Sequence, residues 1–234
     1  MFDAKKLLGD FLNQNVPGAG GTVRERGGQA VQMAKDNPLA TGAIAAVLLG
    51  TGVGRELTGS ALKLGGAAAV AGLAYTAYQN YKGGKDAPSG AAAEQEVLPP
   101  PSGSEFEIDA APQGADEFAS TLVKAMIAAA RADGHIDDGE RARIADKLEM
   151  AGLEEDAQSF IRAELSKPVD MDSLVTSAQT EAQRVELYTA SRLAIEPKTR
   201  AERGYLDMLA GRLGLEDGLI DHIEATIAGA TATT

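Results

Sequence analysis

From residue 115 onward, apolar residues recur every three or four positions, which is the spacing of one face of an α-helix. Phe118, Leu122, Ala125, Met126 and Ala129 begin the pattern, and Gly134 follows as a helix-stopping residue. The same periodicity predicts six further helices and no strand. They fall at about 144–151, 154–166, 170–178, 180–195, 199–213 and 216–228. A segment of this length can bury one helical core, so we expect an all-α domain over 115–230.

Two stretches of the first half contain no charged residue, 37–54 and 64–81. Each has eighteen residues, which is near the lower limit for a helix that spans a bilayer. Small residues recur every four positions in both regions, and such stripes let helix backbones approach closely. They are Gly42, Ala46, Gly50 and Gly54, followed by Ala61, Gly65 and Ala69.

These stripes predict a glycine-zipper helical hairpin over 38–82 within a membrane, with self-association through the stripe as a further expectation. Tyr75, Tyr78 and Tyr81 end the hairpin, where an aromatic belt is expected. The alternatives are a pair of Ala-rich helices in water and a flexible low-complexity region. Basic residues on both flanks predict that both ends face the cytoplasm.

The remaining segments carry weaker patterns. Residues 1–37 form a short amphipathic N-terminal region that is interrupted by Asn, Pro and Gly. Residues 83–114 are rich in Pro, Gly, Ser and Ala, and this composition predicts a disordered linker.

Composition excludes several classes of site. The chain has no cysteine and only two histidines, so thiolate sites and histidine-rich zinc sites are absent. Residues 105–234 carry thirteen basic and twenty-six acidic residues, whereas residues 1–104 carry nine and eight. The acidic half argues against nucleic-acid binding, which needs a basic surface.

Acidic residues cluster at two breaks between predicted helices. Asp133, Asp137 and Glu140 lie at the first break, and Glu202 lies at a similar break later in the chain. If the two breaks meet, their carboxylates offer oxygen ligands to a hard divalent cation, namely Ca, Mg or Mn. Asp133 follows the end of a helix, where the helix dipole disfavours an anion, so it needs a nearby cation or arginine.

Helix capping is the alternative explanation of the same residues. Asp137 with Glu140, and Thr199 with Glu202, fit the spacing of a capping box. Capping and metal binding can also coexist. His135 and His222 are both predicted to lie on the surface.

No enzyme is predicted. Twelve positions from Asp133 falls on Ile144, so the EF-hand pattern fails. The chain also lacks a Glu-x-x-His pair, a nucleophile elbow, a P-loop and a dinucleotide-binding fingerprint. A metal-dependent hydrolase is disfavoured because no base or nucleophile accompanies the acids.

Residues 132–141 and 195–210 resemble the TerB-like fold of tellurite-resistance proteins. The carrying motifs are Ala-Asp-Gly-x-Ile-Asp-x-x-Glu-Arg and Ile-Glu-Pro-x-Thr-x-Ala-Glu-Arg. The whole chain resembles a bacterial family with such a domain and an Ala/Gly-rich inner-membrane region. The resemblance implies a helical bundle that binds divalent metal in membrane-associated stress assemblies. Its implied ligands are Asp133, Asp137, Glu140, Glu196 and Glu202, although many relatives carry Asp at the position of Glu196.

Together these patterns predict an adaptor at the bacterial inner membrane. The hairpin anchors the chain, and the acidic bundle projects into the cytoplasm to contact other proteins in a metal-sensitive way. The alternative is a helical structural or interaction protein without metal or catalysis.

Overall fold

The computed structural model describes residues 66–87, 97–132, 155–195 and 197–231. Within them the chain forms seven α-helices, one short 3-10 helix and no strand. The helices are α1 (Gly66–Lys82), α2 (Ala115–Ala130), α3 (Glu155–Ser166), α4 (Met171–Ser177), α5 (Glu181–Ala194), α6 (Arg200–Leu213) and α7 (Asp217–Thr231), and the 3-10 helix is Ile108–Ala110. The all-α prediction is therefore confirmed for the described part. The helix predicted at 144–151 lies outside the described residues.

Helix α5 is the centre of the bundle. Eleven of its fourteen residues are buried, because α1, α2 and α6 all pack against it. Its sequence has apolar or small residues on nearly every face, which is typical of a helix that is surrounded by others. Thr180 begins the helix by accepting a hydrogen bond from the backbone N–H of Gln183.

Helix α1 packs into this bundle, mainly against α7 and α5. Val70, Leu73, Ala74 and Ala77 are each at most 1% exposed. Small alanines allow this close approach, and the aliphatic residues between them bury apolar area. Ala69 is also buried within this same chain. The other stripe residues, from Gly42 to Gly65, lie outside the described residues. No described helix combines the length and the apolar character that a bilayer crossing requires.

Residues 97–114 pack on the bundle, although the composition of residues 83–114 predicts a disordered linker. Val97 and Phe106 are 3% and 5% exposed. Phe106 contacts the rings of Tyr75 and Tyr78, with centroids 5.6 and 5.3 Å away. Composition alone predicts disorder, but the two buried apolar side chains, together with the hydrogen bond that the Leu98 N–H donates to Thr76 Oγ1, hold this Pro- and Gly-rich segment against α1.

A pair of glutamines fixes the end of that segment. The side chains of Gln113 and Gln183 exchange amide hydrogen bonds of 3.4 and 3.0 Å. Gln113 also donates to the backbone oxygen of Ser177. Because Gln113 precedes α2 and Gln183 lies in the first turn of α5, these bonds align the starts of the two helices.

Candidate functional site

Helices α2 and α5 run parallel, so their C-terminal ends lie at the same end of the bundle. Their starts are joined through Gln113 and Gln183. Further along, the hydroxyl oxygen of Ser191 in α5 lies 3.5 Å from the backbone oxygen of Ala125 in α2. Only residues 195–199 separate α5 from α6, so the start of α6 lies at this end as well.

The end of α3 joins the same region through Arg131, the residue that follows α2. Its Nη1 donates to the backbone oxygens of Lys167 and Glu164, at 2.5 and 3.5 Å. We call this region the acidic end: the C-terminal ends of α2, α3 and α5 with the start of α6. Three helix C-termini each contribute a partial negative charge there, about half an elementary charge per helix.

Two further arginines satisfy backbone oxygens at the acidic end. Arg192 donates to the oxygen of Ile195 at 2.9 Å, while its Nε also donates to the Glu224 carboxylate at 2.8 Å. Arg203 donates to the oxygens of Pro197 and Lys198 at 3.1 and 2.8 Å. These arginines hold the connection between α5 and α6 in place.

Glu202 is the one predicted metal ligand that the structure describes. The predicted capping box with Thr199 is present at the start of α6. The Thr199 N–H donates to Glu202 Oε2 at 2.7 Å, and the Glu202 N–H donates to Thr199 Oγ1 at 3.1 Å. One carboxylate oxygen of Glu202 therefore has a backbone partner, and capping explains its position.

The other four predicted ligands, Asp133, Asp137, Glu140 and Glu196, lie outside the described residues. The chain enters both gaps at the acidic end. Ala132, the residue before Asp133, donates its N–H to the Ala129 oxygen at 2.9 Å, and Ile195 is the C-cap of α5. Within the described ranges no group of three or more His, Asp or Glu side chains could hold a metal ion.

The structure contains a buried carboxylic acid that the sequence patterns did not predict. Glu186 lies in the middle of α5 and is 2% exposed. Burial raises the pKa of its carboxyl well above its ordinary value, because a charge is poorly solvated in the protein interior. The only sequence signal was its position in a helix whose apolar and small residues lie on nearly every face.

His222 is also buried, so the prediction that it lies on the surface is wrong. It is 4% exposed, and its ring stands edge-on to Tyr81, with centroids 6.0 Å apart. Because a backbone oxygen can only accept, Nε2 donates to the oxygen of Lys85 at 2.9 Å. The reason for its burial is tertiary: α1 covers this face of α7. His135 lies outside the described residues.

The tyrosine beside the acidic end is buried rather than reactive. The hydroxyl of Tyr205 lies 3.5 Å from the backbone oxygen of Ala125, and burial raises its pKa to about 12. It therefore keeps its proton at physiological pH and serves as a packed link between α6 and α2.

Comparison with known proteins identifies a family for which no function is stated. Residues 34–227 match the family described as "Protein of unknown function (DUF533)". The chain is 31% identical over 112 residues to a Yersinia enterocolitica protein named "Uncharacterized protein in ampR 5'region", which covers 48% of this chain and 81% of that protein. No solved structure matches the chain. Because the family match spans most of its length, the chain belongs to the DUF533 family.

Proposed function

We propose that the protein is a helical adaptor whose acidic end binds a divalent cation. The observation that carries this proposal is the convergence of three helix C-termini, those of α2, α3 and α5. Their partial negative charges favour a cation at this end and are offset in part by Arg131, Arg192 and the positive start of α6. The acidic segments 133–140 and 196–202 are attached to the same end by the chain itself.

The proposed ligands are Asp133, Asp137, Glu140 and Glu196, with Glu202 beside them. All of them offer oxygen, which favours calcium, magnesium or manganese over zinc and copper. Glu202 Oε1 remains for a cation while Oε2 accepts the Thr199 N–H. We also propose that the bundle is TerB-like, since the motif at 195–210 spans the α5–α6 corner that contributes to this end.

We further propose that the membrane contact lies in the first uncharged stretch, 37–54. The second stretch supplies α1, whose apolar face is already covered by α5 and α7. In this arrangement the segment that follows the membrane contact would lead directly into α1 of the bundle. We expect the binding of partner proteins to depend on whether a cation is bound at the acidic end.

Thermal melts of the full chain test the cation site, with calcium, magnesium or manganese against a chelator. A cation at about 100 times its dissociation constant stabilises the fold by roughly 2.7 kcal/mol. For a domain of this size that shift corresponds to roughly 5–10 °C. Asp133→Asn should reduce the shift, whereas the matched control Asp207→Asn, on the exposed side of α6, should preserve it.

A helical structural protein without metal is the second candidate function. The capping box of Thr199 and Glu202 favours it, because this box stabilises α6 without any cation. If none of the three cations shifts the melt of the unaltered protein, this second function replaces the first.

A further inference from the structure

A pocket adjoins the acidic end, between α2, the end of α3 and the start of α4. Its volume is about 200 Å³, smaller than the roughly 300–1,000 Å³ of pockets that hold drug-sized ligands. Its walls are mixed. Ile127, Val169 and Leu174 supply aliphatic surface, and Lys124 and Arg131 supply positive charge.

Arg131 has an unused hydrogen-bonding edge at this pocket. Its Nη1 is occupied by the backbone oxygens of α3, but its Nε is buried and has no partner among the described residues. No described residue accepts from Nη2 either. Nε and Nη2 lie on the same side of the guanidinium, which is the edge that pairs with the two oxygens of a carboxylate.

The charges around the pocket are also unbalanced. Glu164 already pairs with Lys167 at 2.6 Å, and Asp170 accepts the Ser173 N–H at the start of α4. Lys124 has no carboxylate partner among the described residues; its ammonium lies 6.0 Å from the centre of the Phe160 ring. Two cations that have no carboxylate partner in the described part of the chain thus face one pocket, in a chain of net charge −12.

The aliphatic wall restricts the kind of anion that fits. Val169 is 40% exposed, although large apolar side chains of the described residues are mostly buried. A hydrated inorganic anion gains nothing from this wall, whereas the carbon chain of an organic acid covers it.

We propose that this pocket binds a small organic carboxylate, which pairs with the Nε–Nη2 edge of Arg131 and is attracted by Lys124. The ligand satisfies a buried donor that otherwise has no partner, and its carbon chain lies against Val169 and Leu174. The pocket adjoins the acidic end at Arg131, but the proposal does not require a bound cation.

Calorimetric titration of the full chain with succinate tests this site, at constant ionic strength and with chelator present. Succinate should bind, whereas its uncharged amide analogue, succinamide, and inorganic phosphate should bind at least about tenfold more weakly. Arg131→Lys keeps the charge but loses the paired edge, so it should weaken succinate binding by about tenfold or more.

Lys124→Met removes one charge and keeps an unbranched side chain, so it should weaken succinate binding by about fivefold. Lys85→Met is the matched control, because it removes a lysine outside the pocket and should leave binding unchanged. Lys124→Met also tests the site if Arg131→Lys disturbs the end of α3, because within the described ranges Lys124 makes no hydrogen bond to that end. Failure of succinate to bind, equal binding of phosphate, or equal affinity in Lys124→Met and Lys85→Met would each overturn the proposal.

Discussion

Helices α1 and α6 both contain small residues, but they use them in opposite ways. In α1, Ala74 and Ala77 are fully buried beneath α5 and α7. In α6, a methyl group added at Gly204 or Gly211 would meet no atom within 4 Å. The difference teaches that small residues at helical spacing do not by themselves identify a contact face. Whether the small residues form a contact face depends on the residues between them. Those of α1 are uncharged up to its last residue, whereas α6 carries Arg200, Glu202, Arg203, Asp207 and Arg212.

The largest expected effect comes from enlarging a buried alanine of α1. Ala74→Leu should destabilise the protein by about 1–3 kcal/mol, because the close approach of α1 to its neighbours leaves no room. Chemical denaturation measures the loss. Ala201→Leu, on the exposed side of α6, is the matched control and should change the free energy of unfolding by less than about 0.5 kcal/mol. Equal stability of both variants would mean that α1 does not pack as described.

Helix α5 packs against both α1 and α6 and contains the buried acid Glu186. The stability of the protein should therefore depend on pH through this residue. The folded-state pKa of Glu186 is raised, so its contribution to stability is complete below the unfolded pKa and is lost as pH rises through the folded pKa. Glu186→Gln should therefore make the protein more stable than the unaltered chain at high pH and should flatten this part of the pH dependence.

Urea denaturation across the pH range measures the effect of Glu186→Gln. Glu117→Gln, on the exposed start of α2, is the control and should preserve the slope of stability against pH. If Glu186→Gln leaves that slope unchanged, the carboxyl is not buried in a low-polarity environment.

Removing the cap of α6 should have an intermediate effect. Thr199→Ala loses the side-chain oxygen that accepts the Glu202 N–H, at a cost of about 1 kcal/mol. Thr176→Ala, an exposed threonine in α4, is the matched control and should change stability little. A Thr199→Ala variant as stable as the control would rule out the capping box as a source of stability.

The smallest expected effect has the opposite sign. Gly204→Ala should stabilise α6 by roughly 0.5–1 kcal/mol, because alanine favours the helix and space is open at this position. Gly214→Ala should instead destabilise the protein, since Gly214 ends α6 with a φ of +68°. Thermal denaturation of both variants distinguishes the two cases, and a loss of stability in Gly204→Ala would mean that this face of α6 is covered.

Local patterns along the chain predicted much of the fold. Helices α3 to α6 begin and end within about one residue of the predicted bounds, because capping residues such as Thr180 and Thr199 act on their own neighbours. The capping box of Glu202 was predicted for the same reason. The four other predicted ligands lie outside the described residues, so the metal site stays a prediction.

What the sequence alone determined about this protein is its helical class, most helix bounds and the strong acidity of its second half. Each of these depends on neighbouring residues or on composition. Only the tertiary structure decided that α1 and residues 97–114 pack on the bundle, that Glu186 and His222 are buried, and that Arg131 faces a pocket. These features depend on contacts between segments far apart in the chain: His222 meets Lys85 across 137 positions, and no local pattern encodes such a pairing.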